Sequence, residues 1–347
     1  MSPFFRWDDQ QNRKEKKVKK CSVFALVAFV LFSLGDVYSQ DVFSDPLAHT
    51  YSIVARDPDT GKMGVAVQSH WFSVGSVVSW AEAGVGAIAT QSLINASFGP
   101  RGLELLKQGK SAQEVLRILI DSDEGRDYRQ LAIVDSEGNV ATHTGQKCIP
   151  EAGHITGEHF SVQANMMLKN TVWPAMAEAF RESRGPLAER MVVALEAAQA
   201  EGGDIRGKQS AAILVVKGES TGKVWEDRII DLRVEDHPEA MQEIKRVLKV
   251  FRAYEYMNAG DVALEKNDVQ GALEAYGTAE RMFPDNLEMQ YWHAISLANI
   301  GMIEDALPMF KDIFVKDENW RLLTERLPGV GLLNIDKKDL ERILSLE

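Results

Sequence analysis

TYSIVARDPDTGKMGVAVQS, residues 50–69, is the stretch from which the fold is read. Residues 50–57 alternate and are rich in β-branched side chains; DPDTGK (57–62) is a cluster of turn formers; MGVAVQS (63–69) is the returning strand. The chain therefore opens with a hairpin. Working outward, residues 76–84 and 85–92 read as two more strands bending at Gly84 or Gly86. Residues 100–108 and 111–121 read as helices, the second opening on Ser111 with Glu114 as its capping-box partner. A hairpin at 129–145 turns through Ser136-Glu137-Gly138-Asn139, and GHITGEH (153–159) reads as a loop. A strand at 159–167, helices at 171–183 and 187–201, and strands at 210–218 and 227–236 complete this half.

Strands come in antiparallel pairs rather than singly between helices, which disfavours a doubly wound parallel sheet. The runs IVA, VAV, AIVD and AILVV are apolar on both faces, as in strands buried on both sides. Two stacked sheets with helix pairs outside satisfy both facts. The expectation is an α+β protein, a four-layer α-β-β-α sandwich over residues 50–236 followed by a small all-α domain over 237–347.

That second part repeats with a period of 34. Gly260 pairs with Ala294, Ala272 with Ala306, Tyr276 with Phe310 and Ala279 with Ile313. Small residues let two helices approach closely, an aromatic fills the gap between units, and Pro284 closes the first unit. The pattern resembles the tetratricopeptide repeat. Two units are fewer than the roughly three such arrays need, so helices at 238–257 and 336–346 are expected to cap them. Such a surface either stabilises the protein or binds a peptide or glycan.

The 347 residues suggest two domains, and 45% hydrophobic with 26% charged residues is ordinary for a globular chain. Lys+Arg 39 against Asp+Glu 51 gives −12, which argues against a nucleic acid as main partner. Two Cys exclude a disulfide scaffold. Six Lys/Arg from Arg13 to Lys20 precede the apolar run CSVFALVAFVLFSLG at 21–35, and Val37 and Ser39 sit at −3 and −1 of a small-residue cleavage site. Residues 1–39 are therefore expected to be a secretory signal peptide, with export to a periplasm or the medium, and residues 40–49 a leader. Past residue 39 the chain keeps 32 Lys/Arg against 47 Asp/Glu, and only Cys148.

The element order and the opening hairpin resemble the N-terminal nucleophile (Ntn) hydrolases. HTYSIVARDPDTGKMGVAVQS, AGVGAIATQS, FGPRGLELL and CIPEAGHITGEHFSVQANMM more closely resemble an uncharacterised bacterial Ntn-hydrolase-like family, some members of which carry a C-terminal domain assigned to peptidoglycan binding. The resemblance spans residues 50 to about 235. It implies a hydrolase of amide bonds in a small peptide or cell-wall fragment, with no cofactor. The Ntn nucleophile is a Thr, Ser or Cys that becomes residue one, its own α-amine (pKa near ~7.7–8) serving as base. Thr50 is the implied nucleophile and Ser52 the runner-up. This requires the bond from His49 to Thr50 to be cut, by self-processing or by another protease. Proteasome-type members pair the nucleophile with a lysine, yet no Lys occurs between Lys62 and Lys107.

Polar groups at strand ends would supply the rest. Ser69 and His70 end the second strand. Gln91 and Asn95 follow the fourth and are placed to donate to an oxyanion. Gln163 and Asn165 alternate on one strand and so share a face. Arg101 suits a substrate carboxylate, and His154 is a further substrate-binding candidate. His143, Cys148, Glu151, His154, Glu158 and His159 crowd one segment, and a metal-dependent hydrolase is the reading they would support, although their spacing matches no common zinc pattern. The competing function is a non-catalytic binding protein that uses the helical repeats for peptide or peptidoglycan. The expected partners are a small peptide or cell-wall fragment, a protein at the repeats, and further copies of this chain.

Overall fold

The computed structural model describes residues 47–347; the expected signal peptide and residues 40–46 of the expected leader lie outside them. Strands β1 (Leu47–Ala48), β2 (Thr50–Arg56) and β3 (Met63–Ser69) come first, followed by the short helix α1 (Gly75–Val78), β4 (Ser79–Glu82) and β5 (Gly86–Leu93). Helices α2 (Phe98–Lys107) and α3 (Ala112–Asp121) lead to β6 (Arg129–Asp135), β7 (Val140–Thr144), β8 (Gly153–Gly157) and β9 (Phe160–Ala164). Helices α4 (Val172–Glu182) and α5 (Leu187–Ala200), strand β10 (Ser210–Val216), the short α6 (Val224–Asp227) and β11 (Arg228–Val234) complete this half.

Both sheets are antiparallel. One runs β1-β5-β6-β7, with β4 sharing the β5 edge; the other runs β11-β10-β3-β2-β9-β8. Period-2 alternation sorts each strand between two cores. Val54, Val65 and Val67 of one sheet pack with Ala87, Ala89, Ala132 and Val134 of the other in a shared apolar cluster. The opposite faces are covered by helices: Ile53, Ala66, Val162 and Ile213 meet Met176 of α4 and Leu195 of α5. Ile88, Leu131 and Ile133 meet Leu103 of α2 and Val115 and Leu119 of α3. This double coverage is why the central strands are apolar on both faces.

The local expectations hold where the side chains themselves enforce them. Ser111 and Glu114 form the reciprocal capping box of α3. Two segments differ. Residues 75–78 form a helical turn before β4 rather than a strand, with Val74 and Val78 packed into the inter-sheet cluster. GHITG is strand β8, not a loop: it pairs with β9, and a Cβ at Gly153 would lie 2.6 Å from the Trp173 ring, a closeness that hides the strand's β character from propensity.

The C-terminal region is helical: α7 (Ala240–Glu265), α8 (Val269–Met282), α9 (Leu287–Asn299), α10 (Ile303–Lys316), α11 (Asn319–Arg326) and α12 (Lys337–Leu344). The expected helix at 238–257 and the helix after it are one continuous 26-residue α7, since no proline or helix-ending cap lies between them. Its first half supplies Ile244 and Leu248 to the core under α5, while its second half supplies Met257 to a cluster with Tyr276. The 34-residue pairs all lie on buried helix positions. Gly260→Ala would set a Cβ 2.5 Å from the Tyr276 ring. That overpacking costs roughly 1–3 kcal/mol, against about 1 kcal/mol that Ala gains over Gly in a helix. A lower denaturant midpoint is expected; an unchanged or higher one would mean that Tyr276 yields freely.

Among the described residues no helix is long and apolar enough to cross a membrane.

Candidate active site

The chain changes sheets at His49. β1 pairs with β5 in one sheet, and β2 starts at Thr50 in the other. Both His49 and Thr50 are buried. Val54 faces the inter-sheet cluster, so Ser52 and Thr50, two and four residues earlier on the same strand, face the gap between the sheets. Gln91, Gln130, Gln163 and Asn165 occupy the same gap from the strands opposite and alongside, and each is fully buried.

Four buried amides in an apolar surrounding must be hydrogen-bonded, and their directions follow from two backbone carbonyls. Gln130 Nε2 donates to Ala164 O (2.9 Å), Gly153 O (3.2 Å) and Thr144 Oγ1 (2.9 Å). Its Oε1 must therefore accept, from Gln91 Nε2 (2.6 Å) and Asn165 Nδ2 (2.9 Å). Gln91 Nε2 also donates to Thr50 O (3.2 Å), while Gln91 Oε1 accepts from Ser52 Oγ (2.6 Å). Ser52 Oγ accepts from Gln163 Nε2 (2.6 Å), and Gln163 Oε1 accepts from Ser161 Oγ (3.0 Å). Asn165 Oδ1 is left as an acceptor 2.7 Å from His49 Nδ1, so that nitrogen carries the imidazole proton. His49 Nε2 is buried without a hydrogen-bond partner.

The carbonyl that precedes Thr50 is held separately. His49 O accepts from Ser69 Oγ (2.6 Å) and from Arg206 Nη2 (2.9 Å). Buried Asp204 fixes that guanidinium in a fork, accepting Nη2 at 2.7 Å and Nε at 3.0 Å, and also takes His70 N at 3.2 Å. A hydroxyl and a cation thus polarise one peptide carbonyl. Left-handed backbone at Ser92 (φ 76°) and Met166 (φ 59°) directly follows Gln91 and Asn165. Such strain at non-glycine residues clusters where a structure holds groups for a task.

Burial lowers the pKa of His49, opposed by the Asn165 acceptor, assisted by Arg206 and opposed by Asp204. Partial desolvation and then His143 lower that of His154, a side chain that stays part exposed. For a group held neutral by the fold, the unfolded chain binds more protons just below the ordinary histidine value of about 6.5, so stability is full above that pH and falls as pH drops towards the folded values. Thermal melts at pH 7.5 and 5.5 are expected to show a lower midpoint at pH 5.5, and replacing both imidazoles by Gln should flatten the difference. A pH-independent melt in the wild type would refute this.

Of the residues named from sequence, Thr50, Ser69, Gln91, Gln163 and Asn165 come together around the His49–Thr50 peptide, with His70 joined through Asp204. His154 lies one step away, its Nδ1 2.8 Å from Thr144 Oγ1. Ser52 spends its hydroxyl inside the amide network. Asn95 turns back on Ser97, and Arg101 reaches Ser122 at the helix surface, so neither joins the cluster. Among the described residues no three His, Cys, Asp or Glu side chains converge as a metal would require, which overturns the zinc reading of the 143–159 segment. His143 bonds Arg126 O, Cys148 bonds Arg129 O and His159 lies on Gly138 O, because three different backbone segments claim them. Gln130 was missed, although a polar residue alternating with Leu131 and Ile133 is the same signal that singled out Gln163. Asp204 and Arg206 sit in a loop with no periodicity to find them by.

The pattern of the family described as "Family of unknown function (DUF1028)" matches residues 50–244. Among solved structures, protein SPO2555 from Silicibacter pomeroyi, of that family, is 30% identical with a TM-score of 0.52, over 58% of this chain and 88% of its own. Anbu (ancestral beta-subunit) from Yersinia bercovieri is 12% identical with a TM-score of 0.29, over 57% of this chain and 92% of its own. No curated protein matches the chain. With the family pattern spanning more than half of the chain and ending in α7, this protein belongs to the DUF1028 family.

Proposed function

We propose that this protein is an Ntn-type amide hydrolase whose nucleophile is Thr50, exposed by cleavage after His49, built on a four-layer α-β-β-α sandwich. One observation carries it: the carbonyl next to Thr50 is gripped by Ser69 Oγ and Arg206 Nη2 while the surrounding amides are locked. Preorganised donors on the oxygen where charge develops are the usual main source of acyl-transfer catalysis. Arg206, oriented by Asp204, supplies the positive charge that a lysine supplies in proteasome-type members.

In self-cleavage the Thr50 hydroxyl oxygen bonds to the His49 carbonyl carbon, and the hydroxyl proton ends on the Thr50 nitrogen as the C–N bond breaks. Water then hydrolyses the resulting ester, leaving a carboxylate on His49 and a free amine on Thr50. In turnover that amine takes the hydroxyl proton, an acyl-enzyme forms on Oγ, the leaving amine is protonated, and water releases the acid. The same two donors serve both reactions.

The C-terminal helices are read as two tetratricopeptide-like units that aid recognition of a peptide or cell-wall fragment outside the cell. Burial of every 34-residue pair supports this reading.

Intact-mass analysis of the exported protein tests the function. A chain beginning at Thr50, and a covalent adduct with a peptidyl epoxyketone that needs both hydroxyl and amine, are expected. A chain that begins at Gln40 and still turns over amides would defeat it.

A further inference from the structure

The nucleophile that opens the His49–Thr50 bond is, on the reading above, the one that attacks substrate. Both carbonyl carbons must then come to the same place, and both carbonyl oxygens to the same donors. The side chain on the acyl side of the first bond marks the pocket that receives the acyl side of the second. That side chain is the imidazole of His49, only 1% exposed and so enclosed by protein.

The pocket has a definite chemistry. Asn165 presents Oδ1 as an acceptor, because its Nδ2 is committed to Gln130 Oε1 at 2.9 Å and Thr50 O at 3.4 Å. One N–H is thus received, at 2.7 Å, while the far ring nitrogen has no hydrogen-bond partner. Arg206 lies on the carbonyl side and Asp204 behind it. A cationic acyl-side residue would bring a second positive charge beside Arg206 and leave its own charge desolvated. An anionic one would face Asn165 Oδ1 and offer it nothing.

We infer that the site selects amides whose acyl-side residue carries a neutral, planar N–H donor the size of an imidazole, histidine first, and that Asn165 is the residue that reads it. The inference rests on the proposed Thr50 mechanism and adds its substrate class. A polar site discriminates sharply against analogues lacking the group it was built to bind, because its own buried acceptor is then left unpaired.

The test uses the full chain after processing, with aminomethylcoumarin amides of acetyl-His, acetyl-Gln, acetyl-Leu, acetyl-Lys and acetyl-Glu. The expected kcat/KM for His exceeds that for Leu, Lys and Glu by about 10-fold or more, with Gln between. Asn165→Leu should bring the His and Leu values together. Should that variant not fold, His49→Leu in the precursor gives a second readout, with the appearance of Thr50 as first residue slowed about 10-fold or more. Hydrolysis with no advantage for His over Leu, or a Thr50-terminal protein that forms the epoxyketone adduct yet cleaves none of the five, overturns the inference and leaves the mechanism standing. A protein with neither a Thr50 terminus nor an adduct removes both.

Discussion

Thr50→Ala is expected to leave the chain uncut after His49 and to abolish amide hydrolysis, a fall of about 10⁴-fold or more, because no other group replaces a deleted nucleophile. Intact mass reads the first effect and a coumarin amide the second. Thr50→Ser keeps the hydroxyl and is expected to process and turn over. Ser69 and Arg206 hold the backbone carbonyl of His49, a group that the exchange keeps. A thermal melt of the alanine chain, read beside the activity, separates loss of chemistry from loss of fold. A Thr50→Ala chain that is still cut after His49 would assign the cut to another protease, and one that still hydrolyses amides would end the mechanism.

Gln130→Leu is expected to cost the most stability of any single exchange in the site. Gln130 is the hub on which the amide directions depend, donating to Ala164 O, Gly153 O and Thr144 and accepting from Gln91 and Asn165. Leucine matches it in size but satisfies none of these, and Gln91, Asn165 and Ala164 lose their bonds where they are fully buried. Each orphaned group costs about 1–3 kcal/mol, and partial rearrangement leaves roughly 3–5 kcal/mol in total. At about 2–4 °C per kcal/mol for a domain of this size, the midpoint should fall by about 10 °C. Chemical denaturation measures this directly, and a change below about 1 kcal/mol would mean that the network tolerates a gap. Asn165 would lose one of the bonds that orient its amide, so Gln130→Leu should also slow the appearance of the Thr50 terminus.

Much of this protein is legible in its sequence. The turn cluster at 57–62 could only close a hairpin, because the β-rich runs on both sides need partners. Ser111 and Glu114 could be paired from their spacing alone, since a capping box is closed within four residues. Gln163 and Asn165 stood out as polar residues sharing one face of an otherwise apolar strand. Gly260, Ala272, Tyr276 and Ala279 declared their packing through a repeat 34 residues on.

Other features had no local cause. β8 carries two glycines and two exposed polar positions, and it is a strand only because β9 offers an edge. Asp204 and Arg206 follow a glycine pair in a loop, and nothing within ten residues hints that they reach back to His49. The amides illustrate the division best. Alternation along each strand told which side chains enter the gap between the sheets, because a strand's period is two whatever surrounds it. Which amide meets which was decided by the stacking of the two sheets, whose contacts at the site join residues up to 116 positions apart. Periodicity is a property of the chain and can be read along it; convergence at the His49–Thr50 peptide is a property of packing, set by how the valines and alanines of two separate sheets interlock.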